Sequence, residues 1–183
     1  IAEPVLRVIE AAADEAELED EDYDLLFWGL HVLAATRDTR VFPALMRLLR
    51  LDGDSLDAIL GDAVTITLAK VIVSVFDGDV EALHRLILDS TTDSFVCSEA
   101  FSALVFLTHE GRIDRQQTHD LLVRFDDKRV AIEGEVGWVG WEEAIALLGF
   151  ADLAPRADTA RRDGRITTEF SDPAWFKTTL RQA

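Results

Sequence analysis

The chain has 183 residues, 49% of them apolar, which is enough core material for one domain or one short repeat array and excludes a disordered ground state. Its 35 acidic residues against 18 basic ones leave a net charge of −17, which repels nucleic-acid phosphates and anionic lipid and argues against both as partners. Four prolines and ten glycines are few for a turn-rich sandwich or barrel, and the single cysteine, Cys97, excludes an internal disulfide and fits a reducing, cytoplasmic setting.

Pro4 suits a first helical turn, and Val5, Val8, Ile9, Ala12 and Ala16 follow at helical spacing. Nine acidic residues between Glu10 and Asp24 predict a frayed helix end and a solvated loop. Leu26, Leu30 and Leu33 then form one stripe, with Phe27 and Ala34 beside it. After an Arg37-Asp38-Thr39 turn, a second helix carries Val41, Leu45, Leu48 and Leu49, with Pro43 in its first turn. The polar run Asp52-Gly53-Asp54-Ser55 closes this pair.

Asp62, preceded by Gly61, predicts a helix N-cap. The segment Val64 to Phe76 carries two opposing signals. Its β-branched content favours strand, yet Val64, Leu68, Val71, Ile72 and Val75 fall on one helical stripe. Its 13 residues exceed the usual strand length of ~5–6, so it reads as one buried helix. Asp77-Gly78-Asp79 turns the chain, and Val80, Leu83 and Ile87 mark the returning helix.

Cys97, Ala100, Phe101, Leu104 and Leu107 mark the next helix, with Gly111 as its terminator. Ile113, Leu121, Leu122 and Phe125 mark its partner, capped near Asp114. Gly134–Gly140 reads as a loose, Gly-rich junction carrying Trp138. Trp141, Ala144, Ile145 and Leu148 form a further helix before Gly149, and a shorter one runs near Leu153–Ala160. Asp172-Pro173 opens the last, with Trp175, Phe176 and Leu180.

Helix pairs thus start near Tyr23, Gly61, Phe95 and Val136. A spacing of roughly 33–42 residues lies in the range of HEAT and armadillo repeats. One pair cannot bury its apolar face alone, and stacking on neighbours solves that. The expected fold is all-α: a HEAT/armadillo-like α-α superhelix of about four stacked helix pairs plus terminal helices, with residues 1–183 forming a single helical-repeat domain. No signal peptide is visible, and the longest apolar stretches, around Val71–Phe76 and Ala103–Leu107, fall far short of the ~20 residues that cross a bilayer.

Several runs carry a family resemblance. They are Ile59-Leu60-Gly61-Asp62-Ala63-Val64-Thr65, then Asp77-Gly78-Asp79 with Leu83 and Leu86-Ile87-Leu88-Asp89, and Ala100-Phe101-Ser102-Ala103-Leu104 followed by Gly111-Arg112-Ile113-Asp114-Arg115. From about Tyr23 to Arg165 the chain resembles an uncharacterised bacterial family, the domain of unknown function numbered 1186. The resemblance implies a HEAT-like helical array with no assigned activity. Many relatives in that family carry a cysteine-rich metal-binding tail. No cysteine follows Cys97 here, so that metal function does not carry over to these residues.

Residues that could carry chemistry are sparse. His31, His84, His109 and His119 show no His-x-x-His or His-Glu-x-x-His spacing and read as surface or half-buried imidazoles. Asp52, Asp54 and Asp57 begin like a calcium loop, but the glycine and terminal glutamate positions do not match. Cys97 lies on an apolar stripe and reads as a buried, inert thiol. Adjacent carboxylates such as Glu142-Glu143 read as solvated surface in so acidic a chain. No Gly-x-Ser-x-Gly, Walker-type or dinucleotide-binding glycine pattern occurs. No catalytic residue, metal or cofactor is therefore assigned, and the balance leans away from an enzyme.

Trp138, Trp141 and Trp175 cluster in the last third, where core packing is the plain reading. A Gly-flanked Trp138 in a loop is the candidate exposed anchor. Arg156, Arg161, Arg162 and Arg165 form a locally basic stretch, either a solvated helix face or a dock for an acidic segment. The candidate interaction surface is accordingly Trp138, Trp141, Arg161 and Arg162. The function expected is a non-enzymatic protein-interaction scaffold, because a helical solenoid presents a broad concave surface. The alternatives are an acidic inhibitor or immunity-type module for a basic partner, and an accessory subunit of an enzyme. In each, the partner is another protein.

Overall fold

The computed structural model describes residues 2–183, and these form α-helices, short 3-10 turns and loops without a strand. In chain order the helices are α1 (Ala2–Ala13), α2 (Asp20–Ala35), α3 (Phe42–Leu48), α4 (Gly53–Leu60), α5 (Ala63–Ile66), α6 (Leu68–Val75), α7 (Val80–Ile87), α8 (Ser94–His109), α9 (Arg115–Lys128), α10 (Val136–Leu147), α11 (Ala154–Arg162) and α12 (Pro173–Gln182).

Stacking is serial. Helix α2 packs on α6, α6 on α8, α8 on α10, and α10 on α12, giving one row. The return helices build a second row beside it, in which α1 packs on α3 and α3 on α7, with α9 against α8. The predicted pairs appear as α2/α3, α5–α6/α7, α8/α9 and α10/α11, arranged as an α-α superhelix. Helix α1 covers one end against α2 and α3, and α12 covers α10 at the other.

The abundant aspartates explain many helix starts. Asp52, Asp79, Asp93, Asp114 and Asp172 each accept a backbone N–H from the first turn of the helix that follows. Such caps stabilise by ~1 kcal/mol each, since they satisfy amides with no partner inside the helix. Part of the acidic run is used in the same way. Asp20, Glu21 and Asp22 occupy the first turn of α2, where the helix dipole favours negative charge.

Four local expectations change. The segment Val64 to Phe76 is helical but broken in two at Thr67, whose hydroxyl donates to the Ala63 carbonyl at 3.3 Å. The β-branched run Val64-Thr65-Ile66-Thr67 and this back-bond both weaken a continuous helix. Asp62 makes no side-chain cap there. Gly61, at φ +48°, instead ends α4. That helix, α4, was read as a polar turn at Asp52–Ser55; Leu56 and Leu60 anchor it in the core. Finally, Gly134–Gly140 is no loose junction, because α10 already runs from Val136. Its Gly140 lies so close to α8 that a Cβ there would stand 2.8 Å from the Ser98 Cα.

The buried apolar side chains run along the whole stack, from Val5 on α1 to Phe176 on α12. Full burial of a Leu or Phe contributes roughly 1.5–3 kcal/mol, so the interface between rows carries the fold. Among the described residues no helix is long and apolar enough to cross a membrane.

Candidate interaction surface

The sequence-predicted anchors lie inside. Trp138 and Trp141 are both 0% exposed. The Trp138 indole N–H donates to the Ala131 carbonyl at 3.1 Å, and that of Trp141 to the Leu122 carbonyl at 2.8 Å. Their rings continue an edge-on series, Phe101–Phe125–Trp138–Trp141, with centroids 4.9, 5.0 and 5.5 Å apart. Helix α10 is apolar on all sides because α8 covers one face and α12 another. An exposed Trp anchor in α10 is therefore ruled out.

The basic stretch is likewise absorbed. Arg161 forms an ion pair with Glu142, a fully buried carboxylate that also accepts a hydrogen bond from the Ser171 hydroxyl. The Arg161 guanidinium lies 4.7 Å over the Phe176 ring. Glu142 is thus no solvated surface acid, whatever its neighbour Glu143 is. Arg165 is buried over the Trp138 ring and pairs with Asp126 and Asp163. Arg156 donates to Asp126 and Asp127. Of the four candidate residues, Arg162 alone is exposed, and it donates to the Asp158 carbonyl and the Thr159 hydroxyl of its own helix.

Exposed apolar groups occur elsewhere, on the row α2–α5–α8. Trp28 on α2 is 66% exposed, Ile66 on α5 63%, and Phe95 on α8 48%. Polar contacts tie these helices side by side. His31, one turn after Trp28, meets the Thr67 hydroxyl at 2.9 Å. The Ala69 N–H donates to Glu99 at 3.3 Å, one turn after Phe95. These bonds place α2 beside the junction of α5 and α6, and α6 beside α8, so Trp28, Ile66 and Phe95 stand on neighbouring elements of the stack.

Carboxylates lie beside Phe95. Between α4, α5 and the start of α8 lies a cavity of about 210 Å³, walled by Asp57, Asp62 and Asp93 with Val64 and Phe95. Farther along, burial pushes the Glu99 carboxyl above its ordinary value. Burial, with Glu99 nearby, does the same to Glu143. Glu143 borders a second groove of about 290 Å³, shared with Phe170, Asp172 and Trp175. Among the described residues, no group of three or more His, Cys, Asp and Glu side chains is placed to hold a metal ion.

The family model described as "Protein of unknown function (DUF1186)" matches residues 2–174. The chain belongs to this family. An uncharacterized protein of Chlamydia trachomatis serovar D is 26% identical over 168 residues, covering 91% of this chain and 66% of that protein. An uncharacterized protein of Chlamydia muridarum is 30% identical over 113 residues, covering 61% of this chain and 45% of that protein. The matched region therefore spans less than two thirds of either relative's length. No solved structure gives a significant match.

For this DUF1186 member the exposed face was legible only in part. Trp28 lies off the Leu26, Leu30 and Leu33 stripe, which marks it as an outward residue. Ile66 and Phe95 gave no such signal, since each stands in an apolar run where strand, helix and core readings overlap.

Proposed function

We propose that this chain is a non-enzymatic interaction scaffold whose α2–α5–α8 face docks a segment of another protein bearing apolar and basic side chains. The observation that carries the reading is the exposure of Trp28, Ile66 and Phe95 on neighbouring helices, with Asp57, Asp62 and Asp93 beside Phe95. Apolar groups held in water across neighbouring helices favour a partner that covers them. The carboxylates select one with Lys or Arg beside its apolar residues. The net charge of −17 disfavours nucleic acid and anionic membrane as that partner. In this reading residues 1–183 act as one domain in the cytoplasm, where the lone thiol of Cys97 stays reduced.

A fluorescent amphipathic peptide of leucine and lysine tests this by anisotropy. The Ile66→Ser, Phe95→Ser variant keeps every charge of the wild type. It should bind the peptide roughly tenfold more weakly, about 1.4 kcal/mol. The Asp120→Asn, Asp127→Asn variant removes two exposed charges from α9 and should bind nearly as the wild type does. Equal binding by the wild type and the Ile66, Phe95 variant would overturn the reading, since only the overall charge would then be at work.

A further inference from the structure

The second row holds a surface of opposite character. An open groove of about 440 Å³ lies between the end of α3, α7 and α9. Arg50, Arg85, Arg124 and Lys128 line it, with Glu81 and Asp89 as its acids. In a chain with 35 acids and 18 bases, four cations against two carboxylates is a local reversal of sign.

These cations are poorly neutralised. Arg50 reaches Asp89 only at 4.0 Å, and Arg85 reaches Asp79 only at 3.8 Å, both beyond hydrogen-bond length. Arg124 and Lys128 stand one turn apart on α9, and among the described residues neither has a carboxylate within ion-pair distance. Two like charges at this spacing repel and weaken a helix. By contrast, Arg156 meets Asp126 and Asp127 at 2.5 and 2.7 Å.

The second observation is His84, on the groove wall. Its side chain is only 3% exposed, and both ring nitrogens lack a hydrogen-bond partner in the protein. The Glu81 carboxylate stays 3.9 Å from Nδ1. Burial lowers the imidazole's affinity for a proton, and the nearby Arg124 charge lowers it further, against the pull of Glu81. A neutral imidazole with no partner is a donor and an acceptor left unused at a buried position, a costly arrangement unless something completes it.

We propose that this groove binds a phosphate monoester group of a small molecule, held by Arg124, Lys128 and Arg85 with the His84 ring N–H as a further donor. Guanidinium and ammonium groups recognise phosphoryl oxygens by charge-assisted hydrogen bonds. The excess of two positive charges on the walls matches a dianionic group, and a monoanionic carboxylate would leave one unbalanced. The open mouth leaves room for the organic body of the ester.

The test uses the intact chain with inorganic phosphate and glycerol phosphate as probes, at constant ionic strength made up with chloride. Each probe should raise the melting temperature saturably, and the His84 ring signals should shift along the same titration in NMR. Stronger binding of glycerol phosphate assigns the organic body a place in the groove. Stronger binding of inorganic phosphate assigns the site to the free ion. The Arg124→Gln, Lys128→Gln variant touches only exposed side chains, so it should fold and bind either probe roughly tenfold more weakly or worse. Stabilisation that never saturates, that survives in this variant, or that leaves the His84 signals unmoved would overturn the proposal.

Discussion

Gly140 on α10 and Ser98 on α8 touch backbone to backbone: a Cβ on Gly140 would stand 2.8 Å from the Ser98 Cα and 2.9 Å from its Oγ. The nearest neighbour of that Cβ is main chain, so it cannot swing aside. Alanine at position 140 would gain ~1 kcal/mol of helix propensity but overpack the contact at a cost of roughly 1–3 kcal/mol. Gly140→Ala should therefore lower stability, by up to about 2 kcal/mol, in urea denaturation. Gly137→Ala should cost less, because its nearest neighbour is the Ala131 Cβ at 3.3 Å.

The pair Glu142–Arg161 ties α10 to α11. Removing one partner leaves the other charge buried, so Arg161→Met should cost about 3 kcal/mol. The double variant Glu142→Leu, Arg161→Met removes both charges and should recover most of that loss. A double-mutant cycle by denaturant unfolding reads the coupling directly.

The pH dependence near Glu143 has a definite sign. Burial, aided by Glu99, raises its carboxyl above the ordinary value. The folded chain then holds a proton that the unfolded chain has already released. The stability gained is complete below the unfolded value and is lost as pH rises through the folded one. Glu143→Gln should therefore be more stable than the wild type at neutral pH. The two melting curves should converge as pH falls below the carboxylate range.

Cys97 is buried, and burial pushes its thiol up to about 12, so little thiolate exists to react. A disulfide reagent should modify it at least about a hundredfold more slowly in the native chain than in denaturant, since the reaction waits for an opening event.

Helix positions were legible because the apolar stripes of α2, α8 and α9 and the Asp114 cap of α9 are local signals. The break at Thr67 was not, because the β-branched run Val64–Thr67 that weakens the helix there also fits the stripe of one continuous buried helix, and the Thr67 back-bond to Ala63 is visible only in the structure. The role of the glycines in α10 was hidden for the same reason: Gly-x-x-Gly looks like a junction until α8 is placed against it. The candidate site failed most completely where sequence weighs residue types alone. Trp138 and Arg161 are types favoured at interfaces, yet here they fill the space between α10 and its neighbours. The exposed apolar groups are instead Trp28, Ile66 and Phe95, which residue type alone does not single out.

Serial stacking supports every other statement, and contacts between aromatic rings in solution test it most directly. Nuclear Overhauser effects should join Phe42 to Phe76, whose ring centroids are 5.3 Å apart. A separate set should connect Phe101, Phe125, Trp138 and Trp141. Cross-peaks between Phe42 and Trp138 would instead mean that the first and fourth helix pairs meet in one collapsed bundle, and the stacked arrangement would be wrong.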